Sequence, residues 1–322
     1  MKQKIAFITG ANGMDSSHLM DFLLEKDYKI YGLIRRNSTK ALWRIEHIMN
    51  RIELVQGDML DAGSLAKAIK LIKPDELYNL AAQSFVKYSF EAPVNTADVT
   101  GLGALRIIEA VRENHKIAKV FQASSSEMFG KVKETPQTET TPFYPRSPYG
   151  VAKCFAHHAC VNYREAYNMF ISCGISFNHE SERRGEEFVS RKITKFVAKV
   201  KKEIYNWGDL RPKLALGNLD AKRDFGYSPD YVEGFWKTLQ QDKPDDYVFA
   251  TGVTNSIENF LETAFRCIGI VEWEKYIIQD ERFMRPAEVD YLRGEATKAR
   301  DKLDWQPKTG FEELVRKMIK AE

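Results

Sequence analysis

Cysteine is scarce in this chain, four residues in 322, and Cys154, Cys160, Cys173 and Cys267 form neither a C-x-x-C pair nor a metal-finger spacing. A disulfide scaffold is thereby excluded, and reduced, mostly buried thiols are expected, as suits a cytoplasmic protein. Excess charge of one sign is also missing, since 48 Lys+Arg against 45 Asp+Glu leave a net +3. That excludes a nucleic-acid binder working by bulk charge, so any anion site has to be local. No stretch reaches the roughly 18 uninterrupted apolar residues of a membrane span, and the opening MKQKIAFITGANG has too few apolar residues for a signal h-region. Neither membrane attachment nor export is expected. Proline (11) and glycine (19) are modest and no low-complexity tract occurs, which excludes collagen-like and disordered classes. Histidine is sparse as well: His157 and His158 are adjacent, so they point about 100° apart on a helix, and no metal is expected.

What is present, 43% hydrophobic and 29% charged residues, can fill one enlarged α/β unit or two domains. Ile5 to Thr9 is a short apolar run ended by turn residues. Leu19, Phe22, Leu23 and Leu24 follow at helical spacing, and Lys29 to Ile34 is a second short run. The alternation continues with a helical segment around Ala41 to Met49, a strand Ile52 to Gln56, a helix Ser64 to Ile72 and a strand Glu76 to Leu80. A helix from about Gly103 to Arg112 then leads to a strand Val120 to Ser124. Strands separated by helices need right-handed crossovers, hence an α/β fold with a doubly wound, mostly parallel sheet covered on both faces. After a Thr- and Pro-rich loop from Glu134 to Pro148, a helix from Tyr149 to about Tyr167 and a strand Ile171 to Phe177 are expected. Phe188, Val189, Ile193, Phe196, Val197, Val200 and Ile204 then share one helical face opposite six basic residues, and Tyr247 to Ala250 returns to the sheet.

The first candidate site is Thr9-Gly10-Ala-Asn12-Gly13-Met14-Asp15-Ser16, between the first strand and the first helix. Glycines there permit a tight turn and close backbone approach, and the helix start offers unpaired N–H groups to a pyrophosphate, the Rossmann-like arrangement for a dinucleotide. A type I′ hairpin at Asn12-Gly13 is the alternative, disfavoured by the helical period downstream. Where an acidic residue would bond the ribose of NAD, the second strand ends in Arg35 and Arg36, followed by Asn37 and Ser38. Two guanidinium groups suit a 2′-phosphate, so NADP is expected, a solvated basic turn being the alternative. Asp58 and Met59 after the third strand are expected beside the adenine, and Leu80, Ala81, Ala82 and Ser84 after the fourth beside the cofactor.

Ser125, Tyr149 and Lys153 form the most informative constellation. Tyr149 and Lys153 are four apart on an expected helix and share a face, so the ammonium can lower the phenol's pKa and hold the nicotinamide ribose. Ser125 would bond the reacting hydroxyl or carbonyl while Tyr149 exchanges its proton.

Five segments carry a resemblance over nearly the whole chain: residues 121–130 (FQASSSEMFG), 139–150 (ETTPFYPRSPYG), 177–185 (FNHESERRG), 216–224 (LGNLDAKRD) and 285–290 (RPAEVD). In them the chain resembles the GDP-mannose 4,6-dehydratase family of extended short-chain dehydrogenases/reductases. The resemblance implies catalysis by Ser125, Glu127, Tyr149 and Lys153, cofactor contacts at Gly10, Asn12, Gly13, Met14, Asp15, His179 and Arg184, and a GDP-sugar substrate. Ser84, Asn178, Lys192, Asn218, Arg223, Arg285 and Glu288 match the family's substrate contacts. Glu127 separates a dehydratase from a plain reductase, because a carboxylate there can take the C5 proton of a 4-keto sugar and help expel the C6 hydroxyl. The cluster Arg183, Arg184, Arg191, Lys192, Lys222 and Arg223 carries enough positive charge for a diphosphate.

The expected organisation is a cofactor unit of residues 1–177 with return segments at about 216–252. A smaller, interleaved C-terminal lobe of 178–215 and 253–322 would hold substrate. The chain departs from the family at Met14-Asp15-Ser16, where Gln precedes and Gly follows the Asp, and in a shorter segment after Arg36. The family assembles through that region, so either a homodimer or a homotetramer is expected. GDP-manno-heptose as substrate, and an NADPH-dependent 4-keto-6-deoxysugar reductase or epimerase, are the alternative activities.

Overall fold

The computed structural model describes residues 3–36, 42–203, 212–284, 286–289 and 291–322. Its first half runs β1 (Ile5–Thr9), α1 (Met14–Glu25), β2 (Lys29–Ile34), β3 (Glu53–Gln56), α2 (Ala62–Ile72), β4 (Glu76–Asn79), α3 (Val86–Glu91), α4 (Pro93–Thr96), a π-helical turn (Ala97–Leu102), α5 (Gly103–Asn114), β5 (Lys119–Ser125), α6 (Pro148–Tyr167) and β6 (Ile171–Ser176). The second half follows with β7 (His179–Glu180), α7 (Val189–Glu203), β8 (Leu214–Leu216), β9 (Lys222–Asp224), β10 (Gly226–Tyr227), α8 (Ser228–Leu239), β11 (Asp246–Phe249), β12 (Thr254–Ser256), α9 (Ile257–Arg266), β13 (Ile277–Gln279), α10 (Thr297–Leu303) and α11 (Phe311–Lys320).

Seven strands form one sheet in the order β11-β6-β5-β4-β1-β2-β3, every pairing parallel. Side chains alternate between its faces. Ala6 and Ile8 of β1 and Phe121 of β5 meet Leu19, Met20 and Leu23 of α1 and Tyr231 and Phe235 of α8. Phe7, Leu77, Val120 and Ile171 point the other way, onto Leu65 and Ile69 of α2, Ile107 and Val111 of α5, and Cys160 of α6. Burying both faces is what a parallel sheet requires, and the strand order reverses between β1 and β4, opening a crevice at their C-terminal ends. Above that edge a third core joins Ile193, Val197 and Val200 of α7 to Phe260 and Leu261 of α9 and Leu314 and Met318 of α11. Ala299 and Leu303 of α10, with Trp305, pack instead in the first core.

The expected helix at Ala41 to Met49 is not formed among the described residues. Only a 3-10 turn, Glu46–Ile48, stands there, and Ala41 lies outside the described part. The segment is too short to nucleate a helix on its own, and its side chains are claimed elsewhere. Ile45 and Ile48 drop into the first core, while Arg44 donates to Arg183 O at 2.6 Å and Asn12 O at 3.2 Å. The sequence reading assigned nothing to α3, α4, α8, α9, α10 and α11. The expected return strand is β11, paired with β6, and the basic helix is α7, Ile204 lying outside the described residues.

Candidate active site

Thr9 ends β1, and Gly10 turns the chain at φ +69, where a Cβ would lie 3.0 Å from Ala81 Cα. Only glycine takes that conformation without strain, so the turn can press against Ala81. Thr9 Oγ1 accepts from Leu80 N and Ala81 N at 3.1 Å and donates to Asn79 Oδ1 at 2.6 Å. Asn79 Nδ2 in turn donates to Gln122 Oε1 at 2.7 Å, tying the ends of β1, β4 and β5 into one buried network. Behind Gly13, α1 begins with no N-cap side-chain hydrogen bond among the described residues. Its leading backbone N–H groups and positive helix end therefore serve the cleft that Gly10, Asn12, Gly13, Met14, Asp15 and Ser16 line. This cradle fits a dinucleotide pyrophosphate.

Asp15 reaches across the crevice. It accepts from Ser228 Oγ at 2.7 Å and pairs with His179 Nε2 at 2.9 Å. Burial would raise its pKa, yet the His179 charge and the hydrogen bonds from His179 and Ser228 hold the carboxyl well below the usual range. Burial works on His179 in the opposite sense, but the Asp15 charge leaves its pKa raised. The imidazole also stacks on Tyr231, centroids 4.6 Å apart, and its Nδ1 meets Phe177 O at 2.7 Å.

The helix that carries Tyr149 and Lys153 starts where its sequence says it should. Ser147 caps α6 by accepting from Gly150 N at 3.0 Å, and Pro148 takes the first helical position. Both side chains are buried, and Lys153 Nζ donates to Ala123 O at 2.6 Å. Burial pushes the Tyr149 phenol up to about 12, opposed by a hydrogen bond with Ser125, and pushes the Lys153 ammonium down to about 8, opposed by Asp15. The expected lowering of the phenol pKa by Lys153 is thus corrected for the ligand-free protein. Desolvation dominates both groups, and the ammonium is engaged with the main chain.

At the end of β5, Ser125 Oγ accepts from Glu127 N at 3.2 Å and so opens a short 3-10 turn, Ser126–Met128, that carries Glu127. The turn is pressed between β5 and α6, for a Cβ on Gly150 would lie 2.7 Å from Glu127 O. Glu127 is only 6% exposed and lines the same cleft as Ser125, Tyr149 and Lys153.

Positive charge gathers on the far wall. Arg184 pairs with Glu180 at 3.1 Å and its guanidinium lies 3.6 Å from the Phe188 ring centroid. Lys192 sits over Phe283, and Arg223 meets Glu288 at 3.2 Å. Asn178, Asn218, Ser84, Leu80, Ala81 and Ala82 complete the expected residues on the lining. The remaining cations of the cluster point elsewhere: Arg183 pairs with Asp21, Arg191 with Glu322, and Lys222 is exposed.

Four expected cofactor residues do not line the cleft. Arg35 and Arg36 stand exposed at the end of β2, Asp58 accepts from Leu60 N at 3.0 Å, and Met59 is buried in the second core. Arg285, Asn37 and Ser38 lie outside the described residues. Sequence reasoning missed Ser176, Phe188, Phe235 and Phe283 on the lining, as well as His157, whose Nδ1 meets Ser124 Oγ at 2.9 Å beneath Ser125. Ser176 carries no distinguishing signal in sequence, where it is one serine among several. The aromatics look in sequence like ordinary core positions. Among the described residues no group of three or more His, Cys, Asp or Glu is placed to hold a metal ion, and no helix is long and apolar enough to cross a membrane.

Known proteins share this fold and, in part, this sequence. The fold matches a dTDP-glucose 4,6-dehydratase from Bacillus anthracis, solved in complex with NAD, at a TM-score of 0.85 and 20% identity over 99% of this chain and 96% of that one. In sequence, the chain is 50% identical to GDP-mannose 4,6 dehydratase 1 of Arabidopsis thaliana over 98% of its length and 89% of the relative's. It is 48% identical to the Homo sapiens GDP-mannose 4,6 dehydratase over 99% and 91% respectively. The family model described as GDP-mannose 4,6 dehydratase matches residues 7–318, and the chain therefore belongs to the GDP-mannose 4,6-dehydratase family.

Proposed function

We propose that this chain dehydrates GDP-mannose to GDP-4-keto-6-deoxymannose, with NADP as a cofactor restored in every cycle. The observation that carries the reading is the burial of Glu127 beside Ser125, Tyr149 and Lys153 in one cleft, in a chain of this family. The cleft lined by Gly10, Gly13 and Asp15 would hold the cofactor, which would supply a reversible hydride acceptor between sugar C4 and C6. Ser125 orients the C4 hydroxyl and Tyr149 accepts its proton, with Lys153 one turn along α6 supplying the counter-charge that a phenol raised to about 12 needs. The resulting 4-ketone acidifies C5–H. Glu127 takes that proton and passes it to the departing C6 hydroxyl, which leaves as water; a solvent proton then enters at C5 as C6 is reduced, and Tyr149 returns the proton it took from the C4 hydroxyl to solvent. Arg184, Lys192 and Arg223 are assigned to the diphosphate, with Asn178, Asn218, Glu288 and Arg285 about the nucleotide sugar. Arg35 and Arg36, exposed at the end of β2, support NADP over NAD through its 2′-phosphate.

The division of labour follows the cores: the sheet and its helices carry the cofactor, and the α7, α9, α11 core carries the sugar nucleotide. Assembly is read as at least a homodimer. Val94 and Val151, 80% and 55% exposed, line one groove between α4 and α6, with Leu102 and Phe155 also exposed on the neighbouring turns. Val151→Glu should lower the sedimenting mass, and a dimer that survives it places the interface elsewhere.

The activity is tested by proton NMR of the protein with GDP-mannose and a catalytic trace of NADP⁺ in D₂O. A C6 methyl signal with deuterium at C5, and cofactor oxidised at the end, is the expected result. Reaction of GDP-manno-heptose alone would keep the chemistry and change the sugar. Reduction of a 4-keto-6-deoxy sugar with NADPH consumed would replace a dehydratase by a reductase.

A further inference from the structure

Ser176 closes β6 and pairs in register with Ser125 across the β5–β6 ladder. Partners in a parallel register point to the same face, so the two hydroxyls lie side by side on the cleft edge of the sheet. Their situations differ. Ser125 Oγ is engaged by Glu127 N and by the Tyr149 phenol. Ser176 is 7% exposed, lines the cleft, and its Oγ has no hydrogen-bond partner among the described residues. Other serines of the neighbourhood are satisfied: Ser172 on the same strand accepts from Asp245 N at 3.2 Å, and Ser124 meets His157 at 2.9 Å. A buried hydroxyl left without a partner costs roughly 1–3 kcal/mol, and native interiors seldom keep one.

Position selects the ligand. A dinucleotide runs along the C-terminal edge of the sheet, its pyrophosphate at the α1 start over the β1/β4 crevice. With the adenine end at β2, where Arg35 and Arg36 stand, the other end falls over β5 and β6. Ser125 and Tyr149 are occupied there with the reacting sugar hydroxyl. We propose that Ser176 Oγ hydrogen-bonds the carboxamide of the bound nicotinamide and so fixes which face of the ring meets the sugar. The inference rests on the cofactor reading given above and adds to it a binding residue outside the Ser125, Tyr149, Lys153 constellation.

The test compares wild type with Ser176→Ala in two ligand-binding titrations and one melt, none of which needs turnover. NADPH binding, followed by its fluorescence, should weaken about two- to tenfold in the alanine variant, the loss of one hydrogen bond. Binding of 2′-phospho-ADP-ribose, which lacks the nicotinamide, should be equal in the two proteins. The ligand-free variant should melt no lower than wild type, because alanine removes an orphan. Equal NADPH affinity overturns the proposal, as does a loss that persists with the fragment. A clear fall in the ligand-free melting temperature also overturns it, since the hydroxyl then has a structural partner. If wild type ignores NADPH and binds NADH, the NADP preference fails on its own, and the same comparison with NADH and ADP-ribose decides Ser176.

Discussion

Replacing Lys153 by methionine should abolish catalysis and yet stabilise the ligand-free protein. The ammonium is buried on α6, and burial lowers its pKa from 10.5 to about 8, so holding it charged at neutral pH costs about 3 kcal/mol, at about 1.4 kcal/mol per unit. Methionine has a similar length and no charge to desolvate. The carbonyl that loses the ammonium is not orphaned, because Ala123 O also accepts from Gln122 Nε2 at 3.0 Å. Setting about 1 kcal/mol against the lost hydrogen bond leaves a net gain of about 2 kcal/mol, or roughly 4 °C in Tm for a chain of this size. The pH dependence has a definite sign. With the folded pKa below the unfolded one, the unfolded state binds more protons between about 8 and 10.5, so wild-type stability rises with pH across that window. Below it the penalty is complete. The advantage of the variant in thermal melts should therefore be full at pH 7 and shrink toward pH 10. A variant that melts below wild type at pH 7, or whose advantage ignores pH, would refute the burial argument.

Three further predictions follow from the same geometry. Glu127→Gln should slow C6 methyl formation by roughly 10²- to 10⁴-fold while C4 oxidation continues, seen as accumulating reduced nicotinamide absorbance; methyl formation at the wild-type rate would make another group the base. Gly150→Ala forces a Cβ to 2.7 Å from Glu127 O, so kcat should fall more than KM rises, with about 1–3 kcal/mol lost in chemical denaturation; unchanged kcat would mean that the 3-10 turn can shift without moving Glu127. Asp15→Asn should cost about 1.5–3 kcal/mol at neutral pH by breaking the bridge to His179 and Ser228. Because the Asp15 pKa is depressed on folding, that advantage of wild type exists above the unfolded value of 3.8 and fades as pH falls below it, which denaturation midpoints across the acid range would reveal.

Neighbouring residues along the chain were enough to specify much of this molecule. Short apolar runs and apolar residues at helical spacing marked β1, β2, β4, β5, β6, α2, α5 and α6 to within a few residues, because a buried parallel strand and an amphipathic helix are each written into local sequence. The cofactor turn was legible for the same reason: Gly10 serves backbone geometry that glycine alone takes without strain, and Tyr149 and Lys153 are brought together by one helical turn. The resemblance to a family pointed to Glu127, which spacing alone could not have singled out.

Contacts between distant segments decided the rest. Nothing local to residues 42–49 shows that Arg44 is consumed by Asn12 O and Arg183 O, so a helical pattern there became a turn. Of six clustered cations only Arg184, Lys192 and Arg223 reach the cleft, a choice made by where Asp21 and Glu322 stand to take Arg183 and Arg191. The protonation of Tyr149 and Lys153 also belongs to tertiary structure, because desolvation depends on everything packed around a group and not on its neighbour four residues away. Ser176 is the clearest case: in sequence it is one serine among several, and only the β5–β6 register and the lack of a partner among the described residues set it beside Ser125 with its hydroxyl unsatisfied.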